Sequence, residues 1–273
     1  MQNQKSGMTE KIKVSHEVPF CLLENSLKFN DYQYCLPHLM DENEEYKNFF
    51  LEYRKQKDSY IIMDNSLHEL GKAYDTDRLW YWINKLMPDE FIVPDAWEDK
   101  TRSIINAKTW ASVDFPEGIK KVAVVQAKSI QDALECYNTY KDLGYQKIAF
   151  SYGASYYNEI SSHPNKDMGK ALGRIQLISW LYEKGIIVDN DEVHLLGCAV
   201  PQEFAWYSEM PFVRSIDTSN PIMCSLEGIE YNMWGLDKKP EANMNNFQDI
   251  KLSKVNQTLV NFNTWKFREF NNL

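Results

Sequence analysis

The chain has 273 residues, enough for one large domain or two small ones, and with 44% hydrophobic and 25% charged residues it can form a sizeable core. Its formal net charge is −9, which argues against a nucleic-acid-binding protein because such proteins more often carry a basic excess. No apolar run is long enough to cross a membrane, and the polar residues 1–10 lack the hydrophobic region of a secretory signal. We therefore expect a cytoplasmic protein without a membrane partner.

The cysteines argue for a reducing compartment. They are odd in number, scattered, and never spaced as a Cys-x-x-Cys pair. This pattern favours free thiols and argues against a structural zinc site. We expect neither a metal nor a cofactor. The five positions are Cys21, Cys35, Cys136, Cys198 and Cys224.

Short apolar runs recur along the chain, and each ends at a polar or small residue. Because the runs are continuous rather than alternating, they predict strands buried on both faces, as in a parallel sheet. The predicted strands are 19–23, 32–37, 60–63, 91–94, 122–125, 148–152, 193–196 and 213–216.

Helical patterns fill most of the gaps between these strands. Ser129 is a good N-cap for one of them, and Gly144 is a good stop signal after it. The last two helices are short and carry proline near their first residue. The predicted helices are 44–54, 77–86, 98–110, 129–143, 166–184, 201–207 and 221–226.

The spacing of the strand ends predicts the architecture. Successive ends from Asp64 to Gly153 lie about 30 residues apart, the length of a strand, a crossover helix and two loops. We therefore predict an α/β fold, a (β/α)8 TIM-like barrel. A doubly wound sheet is the alternative, but it would carry a glycine-rich phosphate turn after its first strand, and none appears. Segment 24–31 is too short for a crossover helix, so we expect the first strands to be irregular or antiparallel.

Two regions flank the predicted barrel. We expect residues 1–12 to be a disordered or frayed tail. Residues 13–273 then form a single barrel domain with a C-terminal helical extension.

In a barrel the strand ends meet on one face, which brings their polar residues together. A carboxylate and a carboxamide read the edge of a heterocycle, and glycine lets a flat ligand approach the backbone. Two further carboxylates are the equipment for breaking a glycosidic bond. The alternative for each aspartate alone is a helix cap. The strand-end residues are Asp64, Asp95, Gln126, Gly153, Gly197 and Asp217.

An ordered set of short motifs resembles the guanine transglycosylases. These are the tRNA-guanine enzymes of queuine and archaeosine synthesis and their phage-borne relatives, the 7-deazaguanine DNA transglycosylases. The resemblance covers residues 60–224, and the order and spacing of the motifs carry it. The motifs are IIMDNS at 61–66, VPD at 93–95, VVQ at 124–126, FSYG at 150–153, HLLG at 194–197 and VRSID at 213–217.

The resemblance implies a role for each matching residue. Asp217 matches the nucleophile that attacks the sugar C1′, and Asp64 matches the general acid/base. Asp95 matches the carboxylate that reads the amino and N1 edge of the purine, and Gln126 the amide on the O6 side. The chemistry is base exchange through a covalent nucleotide–enzyme ester, without an external energy source. The other residues of the base slot are Ser151, Gly153 and Gly197.

The sequence departs from the tRNA enzymes in two places. Their first motif is usually Asp-Ser-Gly-Gly-Phe, whereas residues 64–68 read DNSLH. They also carry a zinc site of three cysteines and a histidine after the nucleophile, but here only Cys224 and no histidine follow Asp217. We therefore expect no zinc subdomain. Because that subdomain helps to hold RNA, DNA is the expected acceptor and tRNA the alternative. The second partner is a free base such as 7-cyano-7-deazaguanine, in the host cytoplasm if a phage encodes the chain.

Several other residues are weaker candidates. Aromatic side chains such as Trp97 and Tyr152 stack on bases or simply pack, and His194 is predicted as a core histidine. Two further hypotheses remain: a non-catalytic partner subunit, and an unrelated barrel glycosidase. The predicted nucleic-acid contacts are His68, Arg214, Lys238 and Lys239.

Overall fold

The computed structural model describes residues 11–271, which form an eight-stranded sheet. The strands are β1 (Lys13–Ser15), β2 (Gln33–Cys35), β3 (Ile61–Met63), β4 (Glu90–Ile92), β5 (Lys120–Val125), β6 (Lys147–Ser151), β7 (Glu192–Leu196) and β8 (Val213–Asp217). Their order is β1-β8-β7-β6-β5-β4-β3-β2, and all seven pairings are parallel. The Val14 carbonyl also accepts the Asp31 N–H at 2.8 Å, which brings β1 beside the start of β2. The sheet is thus a nearly closed (β/α)8 TIM-like barrel, as the sequence predicts.

Helices follow most of the strands and cover the outside of the sheet. The α-helices are α1 (Leu23–Ser26), α2 (Pro37–Glu42), α3 (Glu44–Tyr53), α4 (Leu67–Leu70), α5 (Thr76–Leu86), α6 (Lys100–Ala111), α7 (Ile130–Asp142), α8 (Tyr157–Ile160), α9 (Lys166–Glu183), α10 (Asn220–Leu226) and α11 (Gln257–Phe270). The 3-10 helices are Phe20–Leu22, Pro201–Tyr207, Met244–Asn246 and Leu252–Lys254. None of the helices in residues 11–271 is long and apolar enough to cross a membrane.

Side chains at the helix starts explain where these helices begin. Ser129 Oγ accepts the Asp132 N–H at 3.1 Å and caps α7, and Gly144 follows that helix in the left-handed region with φ 82°. The predicted cap and stop signals of this helix are therefore confirmed. Asn165 caps α9 in the same way, accepting the N–H groups of Asp167 and Met168.

The prediction of a first strand at 19–23 is wrong. Those residues form the 3-10 helix Phe20–Leu22 and the start of α1, whereas β1 is Lys13–Ser15. A short apolar run does not by itself distinguish a strand from a buried helical turn, and Pro19 (φ −65°) suits the start of one. The antiparallel alternative is also wrong, because β1 pairs in parallel with β8.

The predicted N-terminal tail lies mostly outside the described residues, which begin at residue 11. Ile12, the last residue of the predicted tail, is buried with 5% of its surface exposed. Residue 12 therefore packs into the core and does not belong to a frayed tail. At the other end, α11 packs against α10 and the 3-10 helix Pro201–Tyr207, with the rings of Phe204 and Phe267 5.4 Å apart.

Candidate active site

A cavity of about 210 Å³ opens where the strands end. For comparison, a dry cavity of about 150 Å³ binds benzene, so this one has room for a flat heterocycle larger than a single ring. Five carboxyl side chains line it, and we call it the acid cavity. These side chains are Glu17, Asp64, Glu69, Asp95 and Asp217. The structure also places other predicted site residues on its wall: Gln126, Ser151, Gly197, His68 and Lys239.

Asp217 is the last residue of β8, and its side chain is 17% exposed. Its Oδ1 lies 3.0 Å from Nε2 of His194, which faces it from β7. Burial raises the pKa of Asp217 to about 7, although the nearby Arg174 cation acts in the opposite direction. A carboxylate at this position therefore titrates near neutral pH.

His194 is neutral in this setting. Burial lowers the pKa of His194 to about 3, and the positive charge of Lys147 lowers it further. Its contact with Asp217 is consequently a hydrogen bond and not an ion pair. An ionised Asp217 only accepts, so Nε2–H of His194 donates to it, and Nδ1 accepts the Ser215 hydroxyl at 2.8 Å. The prediction of a satisfied core histidine is confirmed in its burial and bonding, but no sequence pattern indicates that Asp217 is its partner.

Asp64 follows β3 and is held by two donors. Its Oδ1 accepts the Tyr34 hydroxyl at 3.0 Å, and its Oδ2 accepts the Ser66 N–H at 3.1 Å. Ser66 has φ 57°, so the chain turns sharply just after Asp64. Burial raises the pKa of Asp64 to about 6, and the charge of Asp217 also raises it.

Tyr34 and His194 connect the two aspartates. Their rings are stacked, with centroids 6.2 Å apart and an angle of 14° between the planes. Tyr34 donates to Asp64 at one end of this stack, and His194 donates to Asp217 at the other. The two candidate catalytic acids are therefore oriented by adjoining side chains over one cavity.

Asp95, Gln126 and Asn65 form a second polar network in the acid cavity. Asp95 Oδ2 accepts the Gln126 amide at 2.7 Å, and its Oδ1 accepts the Asn65 amide at 2.7 Å. Gln126 Oε1 accepts the Glu98 backbone N–H at 3.0 Å, so its orientation is fixed at both ends. Burial raises the pKa of Asp95 to about 6. The Gln126 amide retains a second N–H, and the carboxylate retains free lone pairs, so both remain able to bind the edge of a ligand.

Glu17, Glu69 and Ser151 carry unsatisfied polar atoms at the cavity wall. Within residues 11–271, Glu17 Oε1, Glu69 Oε2 and Ser151 Oγ are buried without a hydrogen-bond partner. Burial raises the pKa of Glu17 to about 8, and the charges of Asp217 and Asp64 add to this. Burial also raises the pKa of Glu69, and the negative charges of the neighbouring carboxylates raise it further. Such atoms favour a ligand that supplies hydrogen-bond partners.

Replacing Glu17 with Gln is expected to stabilise the protein at alkaline pH. The pKa of Glu17 rises from 4.5 to about 8 in the folded state, so the folded protein keeps a proton that the unfolded chain releases between these values. The free energy of unfolding of the wild type therefore falls across this window, and the variant lacks this contribution. We expect no gain near pH 4 and a gain of about 4 kcal/mol at pH 8, where most of the shift from 4.5 to about 8 is expressed.

Urea denaturation at both pH values measures this difference. Glu45→Gln is the control, because Glu45 is exposed and lies outside the acid cavity. An unchanged free energy of unfolding of Glu17→Gln at pH 8 would contradict the expectation.

A second chamber of about 390 Å³ adjoins the acid cavity, and we call it the side chamber. Gly153, predicted as part of the base slot, lines the side chamber and not the acid cavity. His68 and Lys239 line both. Arg214 and Lys238 line neither: strand alternation points Arg214 away from the side of Asp217, and Lys238 is an exposed partner of Glu241. Of the four predicted nucleic-acid contacts, His68 and Lys239 therefore lie at the two cavities, whereas Arg214 and Lys238 do not.

Comparison with known proteins adds no assignment. A scan against protein-family models finds no match, and a search of curated proteins finds no significant match. Within residues 11–271, no group of three or more His, Cys, Asp or Glu side chains is placed to hold a metal ion. The fold and the site define a TIM-like barrel with carboxyl groups converging on one cavity. The side chains of this cavity are therefore the basis for inferring its function.

Proposed function

We propose that the chain is a base-exchange glycosyltransferase that replaces guanine in DNA by a 7-deazaguanine base. One observation carries the proposal: Asp64 and Asp217 line the same cavity as the Asp95–Gln126 pair. Asp64 and Asp217 supply the two acids needed to break an N-glycosidic bond. Asp95 and Gln126 lie beside them and can hydrogen-bond the edge of both the leaving and the incoming base.

The polar groups around Asp95 suit guanine. The N1–H and 2-amino groups of guanine are donors, and the buried Asp95 carboxylate accepts. The free N–H of the Gln126 amide donates to O6, while Asn65 holds the carboxylate from the other side. Ser151 Oγ is available for another polar atom of the base. A 7-deazaguanine presents the same edge, so one slot serves both bases.

The exchange takes two displacements. In the first, the Asp217 carboxylate attacks C1′, the C1′–N9 bond breaks, and guanine leaves with the bonding electron pair and a proton from Asp64. In the second, the incoming base gives its N9 proton to the Asp64 carboxylate, N9 attacks C1′, and the ester to Asp217 breaks. Burial raises the pKa of Asp64 to about 6 and that of Asp217 to about 7, so the first displacement starts from the less populated arrangement in which Asp64 holds the proton and Asp217 is ionised. The His194 N–H supports the ionised form of Asp217.

The choice of DNA rests on the residues C-terminal to Asp217. Residues 218–273 contain one cysteine, Cys224, and no histidine, whereas the resembling tRNA enzymes carry three cysteines and a histidine after the nucleophile. The base must leave the helical stack before its C1′ reaches the carboxylates, because the acids lie inside a cavity. Exchange into tRNA would use the same residues, so tRNA is tested as a second substrate beside DNA.

A trapped intermediate tests the proposal. We expect the wild-type protein, mixed with guanine-containing DNA and quenched by denaturation, to carry one covalently attached DNA strand on Asp217. Intact-mass measurement followed by peptide mapping locates the ester, and labelled 7-cyano-7-deazaguanine then appears in the DNA. Asp249→Ala, at an exposed position outside both cavities, should behave like the wild type.

The absence of both the adduct and the label would contradict the proposal. If neither DNA nor tRNA forms an adduct or takes up the label with the wild-type protein, the activity is excluded. Uptake into tRNA alone would retain the chemistry and replace the acceptor.

A further inference from the structure

The side chamber opens beside the acid cavity but differs from it in charge. The two share five wall residues, namely Leu67, His68, Trp97, Tyr152 and Lys239. The side chamber adds Lys170, and its one carboxylate, Asp167, already accepts the Lys239 backbone N–H at 2.9 Å. The two lysines outnumber this carboxylate, whereas five carboxyl groups line the acid cavity, so an anionic group is attracted to the side chamber more than to the acid cavity.

Lys239 is anchored at the boundary between the two spaces. Its ammonium group lies 4.7 Å from the centre of the Tyr152 ring and donates to the Tyr152 hydroxyl. Lys170 extends from α9 into the same chamber. Two cations from separate parts of the chain thus face one concave space, an arrangement suited to a phosphodiester.

Trp97 provides an aromatic surface at the same boundary. Its side chain is 45% exposed, although it lines both spaces. A Cβ added to Gly153 would lie 3.7 Å from the ring, so the indole packs close to the Gly153 backbone. The ring therefore forms part of the wall that the two spaces share, with much of its surface free.

The loop that carries Trp97 is held in an unusual conformation. Glu98, the next residue, has φ 48°, which side-chain-bearing residues rarely adopt. Its N–H donates to Gln126 Oε1 at 3.0 Å, and its carboxylate accepts the Ser155 N–H at 2.6 Å. These two contacts tie the Trp97 loop to the base-reading amide on one side and to the loop after β6 on the other.

We propose that the side chamber binds the nucleotide next to the one whose base is exchanged, with its phosphodiester at Lys170 and Lys239 and its base against Trp97. This rests on the proposed function. A nucleotide whose sugar lies between Asp64 and Asp217 must carry its phosphates out of the acid cavity, and the side chamber is the adjoining cationic space. Stacking on an exposed indole suits any base, so the chamber positions the strand without reading its sequence.

Short single-stranded DNA with one guanine tests this inference. Fluorescence anisotropy measures its affinity when all linkages are phosphates, and when the linkage 5′ or 3′ of the guanosine is a neutral methylphosphonate. We expect one of the two replacements to weaken wild-type binding by about tenfold, the loss of one charge-assisted contact. Lys170→Ala should lose about as much on natural DNA and nothing further on that methylphosphonate. Lys166→Ala, an exposed lysine of the same helix outside both cavities, should bind like the wild type.

Trp97 is tested with the same strands. Trp97→Ala should weaken binding by about tenfold, and the loss should vanish when the neighbouring nucleotide is abasic. Trp265→Ala, which is 57% exposed on α11 outside both cavities, is the matched control. The affinity for free 7-cyano-7-deazaguanine should not change in Lys170→Ala, because Lys170 does not line the acid cavity.

The outcomes separate the two proposals. Base exchange in which Lys170→Ala matches Lys166→Ala on every strand overturns the side-chamber assignment and leaves the enzyme activity intact. Lys170-dependent DNA binding without exchange into DNA or tRNA overturns the activity instead. Failure of the wild type to bind any of these strands overturns the side-chamber assignment, and the exchange assay with DNA and tRNA then decides the activity.

Discussion

We expect Asp217→Asn to exchange bases at least about 10³-fold more slowly than the wild type, because an amide does not form the ester intermediate. The substitution keeps the size of the side chain and an oxygen that accepts the His194 N–H. The loss should therefore come from the chemical step and not from a collapsed cavity. Uptake of labelled base into DNA under single-turnover conditions measures the rate.

The folded state of the variant has to be checked beside its rate. Burial raises the pKa of Asp217 to about 7, so removing its charge should leave the thermal midpoint at pH 8 unchanged or higher. Asp249→Asn supplies the matched control at an exposed aspartate. A variant that retains a tenth or more of the wild-type rate would show that another group is the nucleophile.

Much of the barrel could be predicted because parallel strands buried on both faces consist of continuous apolar residues. Seven of the predicted strands overlap observed ones, from β2 to β8. β1 escaped detection because Lys13, Val14 and Ser15 form only a three-residue strand of mixed polarity beside a polar segment. Its place in the barrel comes from pairing with β8, a contact between residues about 200 positions apart.

The same error hid a part of the site. Glu17 lies two residues after β1, so a correctly placed β1 would have drawn attention to it as a residue near a strand end. Tyr34 and His194 are different cases, because only their packing inside the closed barrel reveals that they orient Asp64 and Asp217. The sequence therefore predicts which residues lie at strand ends. It does not predict the contacts between neighbouring strands that orient their side chains.

Arg174 is the clearest example of a residue whose role the sequence does not reveal, because nothing in the helical pattern around it indicates a functional position. It lies on α9 with only 1% of its surface exposed, and its Nε donates to Glu203 Oε1 at 2.6 Å. Its other donors reach main-chain oxygens at the ends of β6 and β7: Phe150 O at 3.2 Å, Leu196 O at 3.0 Å and Gly197 O at 2.8 Å. One guanidinium thus fastens two strand ends beneath the acid cavity.

Replacing Arg174 with Met should lower the free energy of unfolding by about 3–5 kcal/mol, the usual loss when one partner of a buried ion pair is removed. Glu203 would be left buried with only the Tyr207 hydroxyl as a donor. The carbonyls of Phe150, Leu196 and Gly197 would each lose one donor, although Leu196 O keeps the Tyr152 N–H at 2.9 Å. Urea unfolding followed by circular dichroism measures the change. Lys141→Met, which breaks the partly exposed ion pair to Asp191, should cost much less.

The double variant Arg174→Met/Glu203→Leu separates the two parts of this loss. Removing the stranded carboxylate should restore some stability, whereas the Gly197 carbonyl still lacks the donor that Arg174 supplied. Because the Gly197 N–H donates to the Asp217 carbonyl at 3.0 Å, the repaired protein should still exchange bases poorly. Full recovery of both stability and exchange would show that Arg174 serves only to neutralise Glu203, and that the strand ends hold their positions without it.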